Sequence, residues 1–367
     1  MAPHHPVLDP EKRPLTDAAF AREEVRLANR NSGILLETLR HDVTPTGLHY
    51  LLNHFDVPFV PAERAADWTL RFGGRFAAPF ALTLGELQAL PSRTLRVTME
   101  CAGNGRSLLS PRRQSQPWMY EAVGTSEWTG TPLAPLLERA GIGRDVVDIV
   151  FTGVDRGFDD GVEHDYGRSL SVAQAMHPDV LLVWGMNGQP LLPQHGFPLR
   201  LVVPGWYGMA SVKWLDRIDA WDRPYDGFQQ VRTYVYRQAE DDPGTPVTTL
   251  RVKSLMVPPG MPDWYSRRRL VDAGRVELVG RAWSGAGVGI TRVEVGIDGQ
   301  WHDARLDPVA GPYAWRGWRF DWQATPGEHV IQCRATDANG DVQPTTPRFD
   351  RGGFGNNIVH TVDVTVR

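Results

Sequence analysis

The chain has 367 residues, a hydrophobic content of 41% and a formal net charge of −4. That length favours two domains, and so small a charge gives no support to nucleic acid or an anionic membrane as a partner. The two cysteines, Cys101 and Cys333, lie far apart, which argues against a disulfide framework and against a zinc site made of cysteines alone. No apolar run reaches the roughly 18 residues of a membrane span.

The first hundred residues are predicted to contain a surface segment and one strand. Residues 1–45 are polar, with Pro, Asn and Arg, and are predicted to form an N-terminal surface extension. In the run "TLRVTMEC", Leu95, Val97 and Met99 alternate with polar residues, which indicates a strand with one buried face. This strand leads directly into Cys101 and a Gly-rich run.

Short helices and strands follow in irregular order. The run "TGTPLAPLLERAGIG" predicts a helix with Thr131 as its N-cap and Pro132 in its first turn. A buried strand follows at 146–155, and a second short helix ends before Pro178. The dipeptide Asn187–Gly188 predicts a hairpin, and residues 198–205 a further strand. Mixed elements without regular βαβ alternation indicate an α+β domain.

The character of the sequence changes at the polar, Pro- and Gly-containing stretch 237–250, which suits a linker. Almost only strand patterns follow, separated by short turns of Gly, Asp and Asn. About 120 residues of this kind predict an immunoglobulin-like β-sandwich. Cys333 falls on the apolar face of one of these strands and is predicted to be a buried small hydrophobe.

Cys101 is the residue whose local sequence permits several functions. Gly103 and Gly105 allow a positive φ or a close approach of the backbone to a ligand, and Arg106 would favour a thiolate. A buried cysteine before an ordinary turn explains the same residues equally well. A nucleophilic cysteine is a third alternative, but no family signature for its base is present. A single thiolate holds a metal poorly, so a metal here would arrive with ligands of its own.

Four blocks of the sequence, in order, resemble the sulfite oxidase family of molybdenum oxidoreductases. They are "HYLLNHFDVP" (49–58), "VTMECAGNGRS" (97–107), "GTSEWTGTPLAPLLERAG" (124–141) and "GFPLRLVVPGWYGMASVKWLDRI" (196–218). The β-rich C-terminal part resembles the family's dimerisation domain, so the resemblance covers residues 45–367. The family includes sulfite oxidases, sulfite dehydrogenases, the sulfane dehydrogenase subunit and assimilatory nitrate reductase.

The resemblance implies an α+β fold, with a mixed α/β molybdopterin-binding catalytic domain at 46–240 and an immunoglobulin-like dimerisation domain at 241–367. It also implies a homodimer, and molybdenum held by molybdopterin with Cys101 as the protein's metal ligand. No haem is expected, because the stretch before residue 45 is too short for a cytochrome b5 module and no Cys-x-x-Cys-His occurs. The positions that match the family's cofactor-binding residues are Tyr50, Asn53, His54, Cys101, Asp155, His195, Arg200, Ser211, Val212 and Lys213.

Several of these matches have a simpler structural alternative. His195 precedes Gly-Phe-Pro and also suits a turn. Arg200 interrupts an apolar strand, and a buried arginine needs an anion, which favours the cofactor phosphate. Lys213 is one of few lysines in an arginine-rich chain, and its alternative is a solvent-facing side chain. Asp155 and Asn53 belong to residue types that are common in turns.

The substrate residues rest on the same resemblance. Arg106 matches the arginine after the family's cysteine motif, and Arg351 matches one from the C-terminal domain; both would bind an oxyanion. A catalytic tyrosine is expected at Tyr234, with Tyr236 as the competing position.

Two positions depart from the family pattern. Leu52 stands where sulfite oxidases have an arginine near the substrate, and Ala210 stands where many members have another. The loss of these cations weakens the prediction of a tight anion site more than it weakens the prediction of the cofactor.

The function predicted from the sequence is two-electron oxygen-atom transfer, with sulfite oxidised to sulfate and electrons passed to an external carrier or to oxygen. The first alternative is a molybdenum reductase of nitrate or a sulfoxide, and the second is a redox-inactive binding protein on the same fold. The N-terminus shows neither an apolar signal region nor a twin arginine followed by one. We therefore expect a cytoplasmic protein, or a periplasmic one if a leader is removed.

Overall fold

The computed structural model describes residues 20–367 together with the backbone of residues 15–16. Residues 1–14 and 17–19 of the predicted surface extension lie outside the described residues. From residue 20 the chain forms helix α1 (Arg22–Arg30) and then single turns of 3-10 helix. Ile34 and Leu39 are buried in the main core, and Glu24 forms a buried ion pair with Arg112. The second half of the segment is therefore part of the packed domain and not a surface extension.

The strands of the N-terminal domain form two sheets and a short pair. One sheet has the order β10-β9-β6-β4 with β11 also on β9, the other has the order β3-β2-β12-β7-β8, and β1 pairs with β5. The bounds are β1 (Leu15–Thr16), β2 (Thr69–Gly74), β3 (Phe80–Thr83), β4 (Arg93–Glu100), β5 (Arg112–Arg113), β6 (Val123–Pro132), β7 (Asp148–Asp159), β8 (Val162–Ser171), β9 (Leu181–Met186), β10 (Gln189–Pro190), β11 (Arg200–Val202) and β12 (Leu215–Trp221).

Short helices connect these strands. They are α2 (Leu84–Gln88), α3 (Ala134–Ala140) and α4 (Val172–Ala175). Helices α2 and α4 begin with capping boxes, Thr83 with Glu86 and Ser171 with Gln174, in which each side chain accepts a backbone N–H of the other residue. Among the described residues we find no helix with the length and apolar composition that a bilayer crossing requires.

The predicted elements of this domain are confirmed except at one helix start. The hairpin turn has positive φ at both Asn187 (52°) and Gly188 (75°), as a type I′ turn requires, and α4 ends before Pro178. Helix α3 starts later than predicted, because Thr131 and Pro132 still belong to β6. The Thr131 hydroxyl donates to the carbonyl oxygen of Pro91 at 3.0 Å and therefore does not cap the helix.

The C-terminal domain is a β-sandwich, as predicted. A short pair, β13 (Val235–Tyr236) and β14 (Thr245–Pro246), leads into two sheets with orders β15-β18-β22-β21 and β16-β17-β24-β23-β19-β20. Their bounds are β15 (Lys253–Met256), β16 (Met261–Pro262), β17 (Arg269–Val271), β18 (Gly274–Trp283), β19 (Ile290–Ile297), β20 (Gln300–Asp303), β21 (Arg305–Leu306), β22 (Arg316–Ala324), β23 (Gly327–Asp337) and β24 (His360–Val366). Side chains from both sheets share one core, and Cys333 is fully buried there, which confirms its assignment as a buried hydrophobe.

Strand β4 differs from its prediction because the second domain covers its outer face. Thr98 and Glu100, expected on the exposed face, are each only 1% exposed. The Thr98 N–H donates to the carbonyl oxygen of Tyr313 at 2.8 Å, and the Glu100 carboxylate accepts from Lys253 Nζ at 2.8 Å and from Trp283 Nε1 at 2.9 Å. The polar face of β4, which the sequence predicts to be exposed to solvent, is thus part of a polar interface between the two domains.

Candidate active site

The turn after β4 fixes the position of Cys101. The Asn104 N–H donates to the carbonyl oxygen of Cys101 at 2.9 Å, which closes the turn. The Asn104 side chain is buried, accepts from the Ala122 N–H at 3.1 Å and donates to the Glu100 carboxylate at 3.0 Å. Because every one of these partners is buried, the thiol has one well-defined place at the end of the strand.

The two glycines of this turn serve different purposes. Gly105 has φ of 98°, a left-handed conformation that favours glycine. Gly103 does not adopt a positive φ, but a Cβ at this position would lie 2.8 Å from the Arg106 guanidinium nitrogens. Gly103 therefore leaves the space through which Arg106 folds back over the turn.

Cys101 lies in the wall between two cavities. The first, which we call the histidine cavity, has a volume of about 60 Å³ and is lined by His49, Tyr50, His54, Asp155, His195, Arg200, Ser211 and Lys213, among others. The second, the aromatic cavity, has a volume of about 330 Å³ and is lined by Leu27, Phe55, Arg106, Arg113, Trp118, Phe158 and Phe354, among others. Leu52, His54, Cys101 and Tyr234 line both.

The histidine cavity combines neutral imidazoles with cations. Burial lowers the pKa of His49 to about 4 and the pKa of His195 to about 2, so both rings are neutral at pH 7. Arg200 is 4% exposed, and its guanidinium donates to the carbonyl oxygens of His195 at 2.9 Å and Ser211 at 3.0 Å. Such a set offers hydrogen-bond donors and positive charge to an anionic ligand.

Lys213 adds a second cation, which Asn53 helps to hold. Lys213 Nζ donates to the carbonyl oxygens of Leu52 and Gln194, each at 3.0 Å, and to Asn53 Oδ1. Asn53 lines the aromatic cavity and touches the histidine cavity only through this bond. Burial lowers the pKa of Lys213 to about 7 and raises the pKa of Asp155 to about 7, and the attraction between the two groups opposes both shifts.

Two buried polar atoms of the histidine cavity have no hydrogen-bond partner. They are Nε2 of His49 and Oδ1 of Asp155, and both residues are almost fully buried. Unsatisfied buried polar atoms are costly in a finished protein. They therefore indicate that a polar ligand with both donors and acceptors completes this cavity.

The structure selects Tyr234 over Tyr236 as the tyrosine beside Cys101. Tyr234 is 4% exposed, lines both cavities, and its hydroxyl lies 2.8 Å from Nε2 of His54. Burial lowers the pKa of His54 to about 3 and raises the pKa of Tyr234 well above its usual range, so this pair is neutral. Tyr236 packs under Arg251 at the domain interface, outside both cavities.

Arg106 brings positive charge into the aromatic cavity close to the thiol. It is 5% exposed, and its guanidinium donates to the carbonyl oxygens of Gly352 at 3.0 Å and Gln116 at 3.1 Å. Burial raises the pKa of the Cys101 thiol, and the Arg106 charge acts in the opposite direction. A bound metal ion would favour the thiolate further.

The segment before the first family-like block forms part of the aromatic cavity. Leu27, Arg30 and Asn31 line it. The buried Asn31 carboxamide accepts from the Asn53 N–H at 2.8 Å and donates to Gln116 Oε1 at 2.9 Å. Asn31 thus links two residues that line the cavity, Gln116 and Asn53, and it positions Asn53, which accepts a hydrogen bond from Lys213.

Two sequence-predicted residues do not reach either cavity. Val212 is fully buried in the core, and its N–H and C=O are both used in backbone hydrogen bonds. Arg351 faces a separate surface cavity and lies 3.3 Å from the Glu240 carboxylate, whereas the next residue, Gly352, lines the aromatic cavity. The Arg351 side chain, predicted at the substrate, therefore lies outside the aromatic cavity, although its neighbour in sequence lines it.

Other residues of the site were missed from the sequence. His49 carries one of the unpaired atoms, and Trp118, in the wall of the aromatic cavity, hydrogen-bonds the Cys101 thiol with its side chain. Neither has a local sequence signal. Arg168 is 2% exposed and lies 5.5 Å from the Tyr234 ring. It stands in β8, whose sequence VEHDYGRSLS is mostly polar, so the signal used for Arg200, an arginine in an apolar strand, does not single it out.

Comparison with known proteins agrees with this geometry. Residues 54–229 match the model of the oxidoreductase molybdopterin binding domain, and residues 245–367 match the Mo-co oxidoreductase dimerisation domain. The chain belongs to the sulfite oxidase family of molybdenum oxidoreductases. Members of this family are molybdopterin-dependent enzymes, and the molybdenum–molybdopterin cofactor is accordingly that of this chain.

Relatives in the sulfite oxidase family are similar over most of this chain. The mitochondrial sulfite oxidases of Mus musculus and Homo sapiens are each 32% identical over 349 residues, which is 88% of this chain and 62% of theirs. Nitrate reductase [NADH] 2 of Phaseolus vulgaris is 30% identical over 98% of this chain and 44% of its own length. The chain thus spans less than two thirds of these relatives. The crystal structure of the sulfane dehydrogenase SoxCD from Paracoccus pantotrophus superposes with a TM-score of 0.78 at 25% identity, covering 96% of this chain and 93% of that one.

The histidine cavity fits the cofactor of the sulfite oxidase family. Its unpaired atoms on His49 and Asp155 suit a ring with donors and acceptors, and Arg200 and Lys213 suit an anionic phosphate. Within residues 20–367 no group of three or more His, Cys, Asp or Glu is placed to hold a metal ion. The metal's further ligands must therefore come from the cofactor, and Cys101 is the thiol that lies at the cavity wall.

Proposed function

We propose that this protein catalyses two-electron oxygen-atom transfer from water to sulfite, giving sulfate, and passes the electrons to an external acceptor. The observation that carries the proposal is the position of Cys101 between the two cavities. A thiol in this wall can hold a metal whose other ligands fill one cavity while a substrate enters through the other. The dimerisation domain supports a homodimer. The cytoplasmic location, the absence of haem and the domain boundaries 46–240 and 241–367 stay predictions.

The residues of the histidine cavity would hold the molybdopterin. Arg200 and Lys213 would bind its phosphate, the neutral imidazoles of His49 and His195 would bind its ring or linker, and Asp155 would accept from a ring N–H. Tyr50, His54 and Ser211 complete the wall. Asn53 orients Lys213 and does not contact the cofactor directly. When bound, the molybdenum centre supplies the exchange of one oxygen atom and two electrons.

The protein's own groups then have defined tasks at the substrate. The buried charge of Arg106 would bind an oxygen of the oxyanion. The Trp118 side chain hydrogen-bonds the Cys101 thiol and would hold its sulfur in place. The neutral Tyr234 hydroxyl would donate to the substrate, and its contact with His54 would orient it. Burial of Arg106, Trp118 and Tyr234 excludes bulk water and strengthens these interactions.

Nitrate reduction is the second candidate, because the match to nitrate reductase extends over 98% of this chain. The experiment that decides is a substrate panel on purified, molybdenum-loaded protein. We expect sulfite-dependent reduction of ferricyanide, with no turnover of nitrate or a sulfoxide by reduced viologen. Turnover of nitrate alone would overturn the proposal in favour of the reductase. A molybdenum-loaded protein without any turnover would indicate a redox-inactive binding protein.

Leu52 makes a testable difference to sulfite binding. It is half-buried and lines both cavities beside Cys101, and it brings no charge there. Leu52→Arg adds a cation at this point and is expected to lower the KM for sulfite by roughly three- to tenfold. Steady-state kinetics with ferricyanide measures this.

The control for that variant is Leu48→Arg, which adds the same charge to an exposed position of the same segment. If both variants lowered the KM equally, general attraction of the anion would be the cause. An unchanged KM in Leu52→Arg would mean that sulfite binds away from residue 52.

A further inference from the structure

The aromatic cavity is much larger than the proposed substrate needs. Its volume of about 330 Å³ lies at the lower end of the range for sites that bind small organic molecules, whereas sulfite is a small pyramidal oxyanion. The cavity runs from Cys101 and the buried Arg106 to Phe158, which is 70% exposed at the surface. A substrate that used this whole path would carry a substituent beyond its reacting sulfur.

Apolar side chains make up part of the lining of this cavity. They are Leu27, Leu52, Phe55, Phe158 and Phe354, and the Phe354 ring lies 5.2 Å from the Tyr234 ring. The Phe55 ring is held in place because Gly157 has no side chain, since a Cβ there would collide with it. These residues offer apolar contact but no hydrogen bond to a small, fully hydrated oxyanion.

A buried cation lies at the Cys101 end of the cavity. Arg106 is 5% exposed and its charge acts on the Cys101 thiol, and the Trp118 side chain, 4% exposed, hydrogen-bonds the same thiol. Other polar side chains, among them Arg30, Arg113 and Asp159, line the cavity as well. The cavity therefore offers a cation to an anionic head near the thiol, and its apolar side chains offer contact to a substituent.

We propose that this protein oxidises organic sulfinates, R–SO₂⁻, that carry an aromatic or branched apolar substituent. A sulfinate keeps the sulfur lone pair and two of the oxygens of sulfite and replaces the third by carbon. The reaction is R–SO₂⁻ + H₂O → R–SO₃⁻ + 2 H⁺ + 2 e⁻, in which sulfur gains one S–O bond and loses two electrons to an external one-electron acceptor. This inference rests on the proposed function and names its substrate class.

The test compares benzenesulfinate, methanesulfinate and sulfite as substrates of the molybdenum-loaded protein with ferricyanide. We expect benzenesulfinate to have a kcat/KM roughly tenfold or more above that of methanesulfinate, because the ring adds apolar contact. Benzenesulfonate formed in H₂¹⁸O should contain one labelled oxygen. Blanks without enzyme correct for direct oxidation by ferricyanide.

A variant tests where the ring binds. Phe158→Ala is expected to lower the ratio of kcat/KM for benzenesulfinate to that for sulfite by roughly five- to tenfold. The control is Phe59→Ala, which removes an exposed ring from a different cavity and should leave the ratio unchanged. An unchanged ratio in Phe158→Ala would overturn the proposed place of the substituent.

The outcomes of the substrate comparison separate the two proposals. Turnover of sulfite with none of either sulfinate overturns this inference and leaves the proposed function standing. Turnover of benzenesulfinate without sulfite supports the inference and replaces sulfite as the substrate. If the loaded protein oxidises none of the three, the proposed function itself fails.

Discussion

Replacement of Cys101 by serine is expected to remove most of the molybdenum from the purified protein and to lower sulfite oxidation by at least roughly 100-fold. A hydroxyl is a harder and much less acidic ligand than a thiol and does not replace a thiolate on this metal. Cys101 lines both cavities, and the described residues include no group of His, Cys, Asp or Glu that would hold the metal in its place. Molybdenum per chain by mass spectrometry and activity with ferricyanide are the two measurements.

The control for Cys101→Ser is Cys333→Ala, which removes the chain's other thiol. Cys333 is fully buried in the core of the β-sandwich and lies in neither cavity. This variant is expected to lose some stability while it keeps its molybdenum and its activity. A Cys101→Ser protein with a full complement of molybdenum and undiminished turnover would refute the metal-ligand role.

Lys253→Met is expected to lower the free energy of unfolding by about 3–5 kcal/mol. Lys253 and Glu100 are each 1% exposed, and Lys253 Nζ lies 2.8 Å from the Glu100 carboxylate and 2.9 Å from the carbonyl oxygen of Asn356. Methionine preserves most of the volume but leaves the carboxylate buried without its cation. Denaturant unfolding followed by tryptophan fluorescence measures the loss.

Two companions make that result specific. The double variant Lys253→Met with Glu100→Gln removes the buried charge as well and should recover a large part of the stability, as a double-mutant cycle would show. Arg275→Met breaks a surface pair with Asp321 and should leave the unfolding free energy almost unchanged. If all three variants lost the same stability, the loss would come from packing and not from the unpaired charge.

Local pattern predicted the fold well wherever neighbouring residues decide the outcome. The alternation in β23 placed Cys333 in the core, and Asn187–Gly188 placed the hairpin, because strand period and turn geometry are local properties. Strand β4 shows the limit. Its polar residues, Thr98 and Glu100, look solvent-facing but are buried by a domain that begins over a hundred residues later. The alternation of apolar and polar residues shows that a strand has two different faces, but it does not show whether another domain covers the polar face.

The site was predictable where the residue type itself needs a partner. An arginine in an apolar strand, as at Arg200, requires buried acceptors, and the structure places it in the histidine cavity. Arg351 lies in a separate surface cavity while the next residue, Gly352, lines the aromatic cavity, and the sequence does not show which position of a loop reaches a site. Trp118 was missed because its side chain becomes significant only through its contact with the Cys101 thiol, which no sequence pattern reports.

The bond between Asn31 and Asn53 has a practical consequence for anyone who works with pieces of this chain. The family match begins at residue 54, so a fragment trimmed to that boundary would lose Asn31, Asn53 and the whole of α1. It would also lose the bond that braces Lys213 and one side of the aromatic cavity. If such a fragment were inactive, the loss of part of the aromatic cavity would explain the result, and the role of Cys101 would not be tested. The boundary of the family match at residue 54 therefore lies inside the folded unit that forms the site.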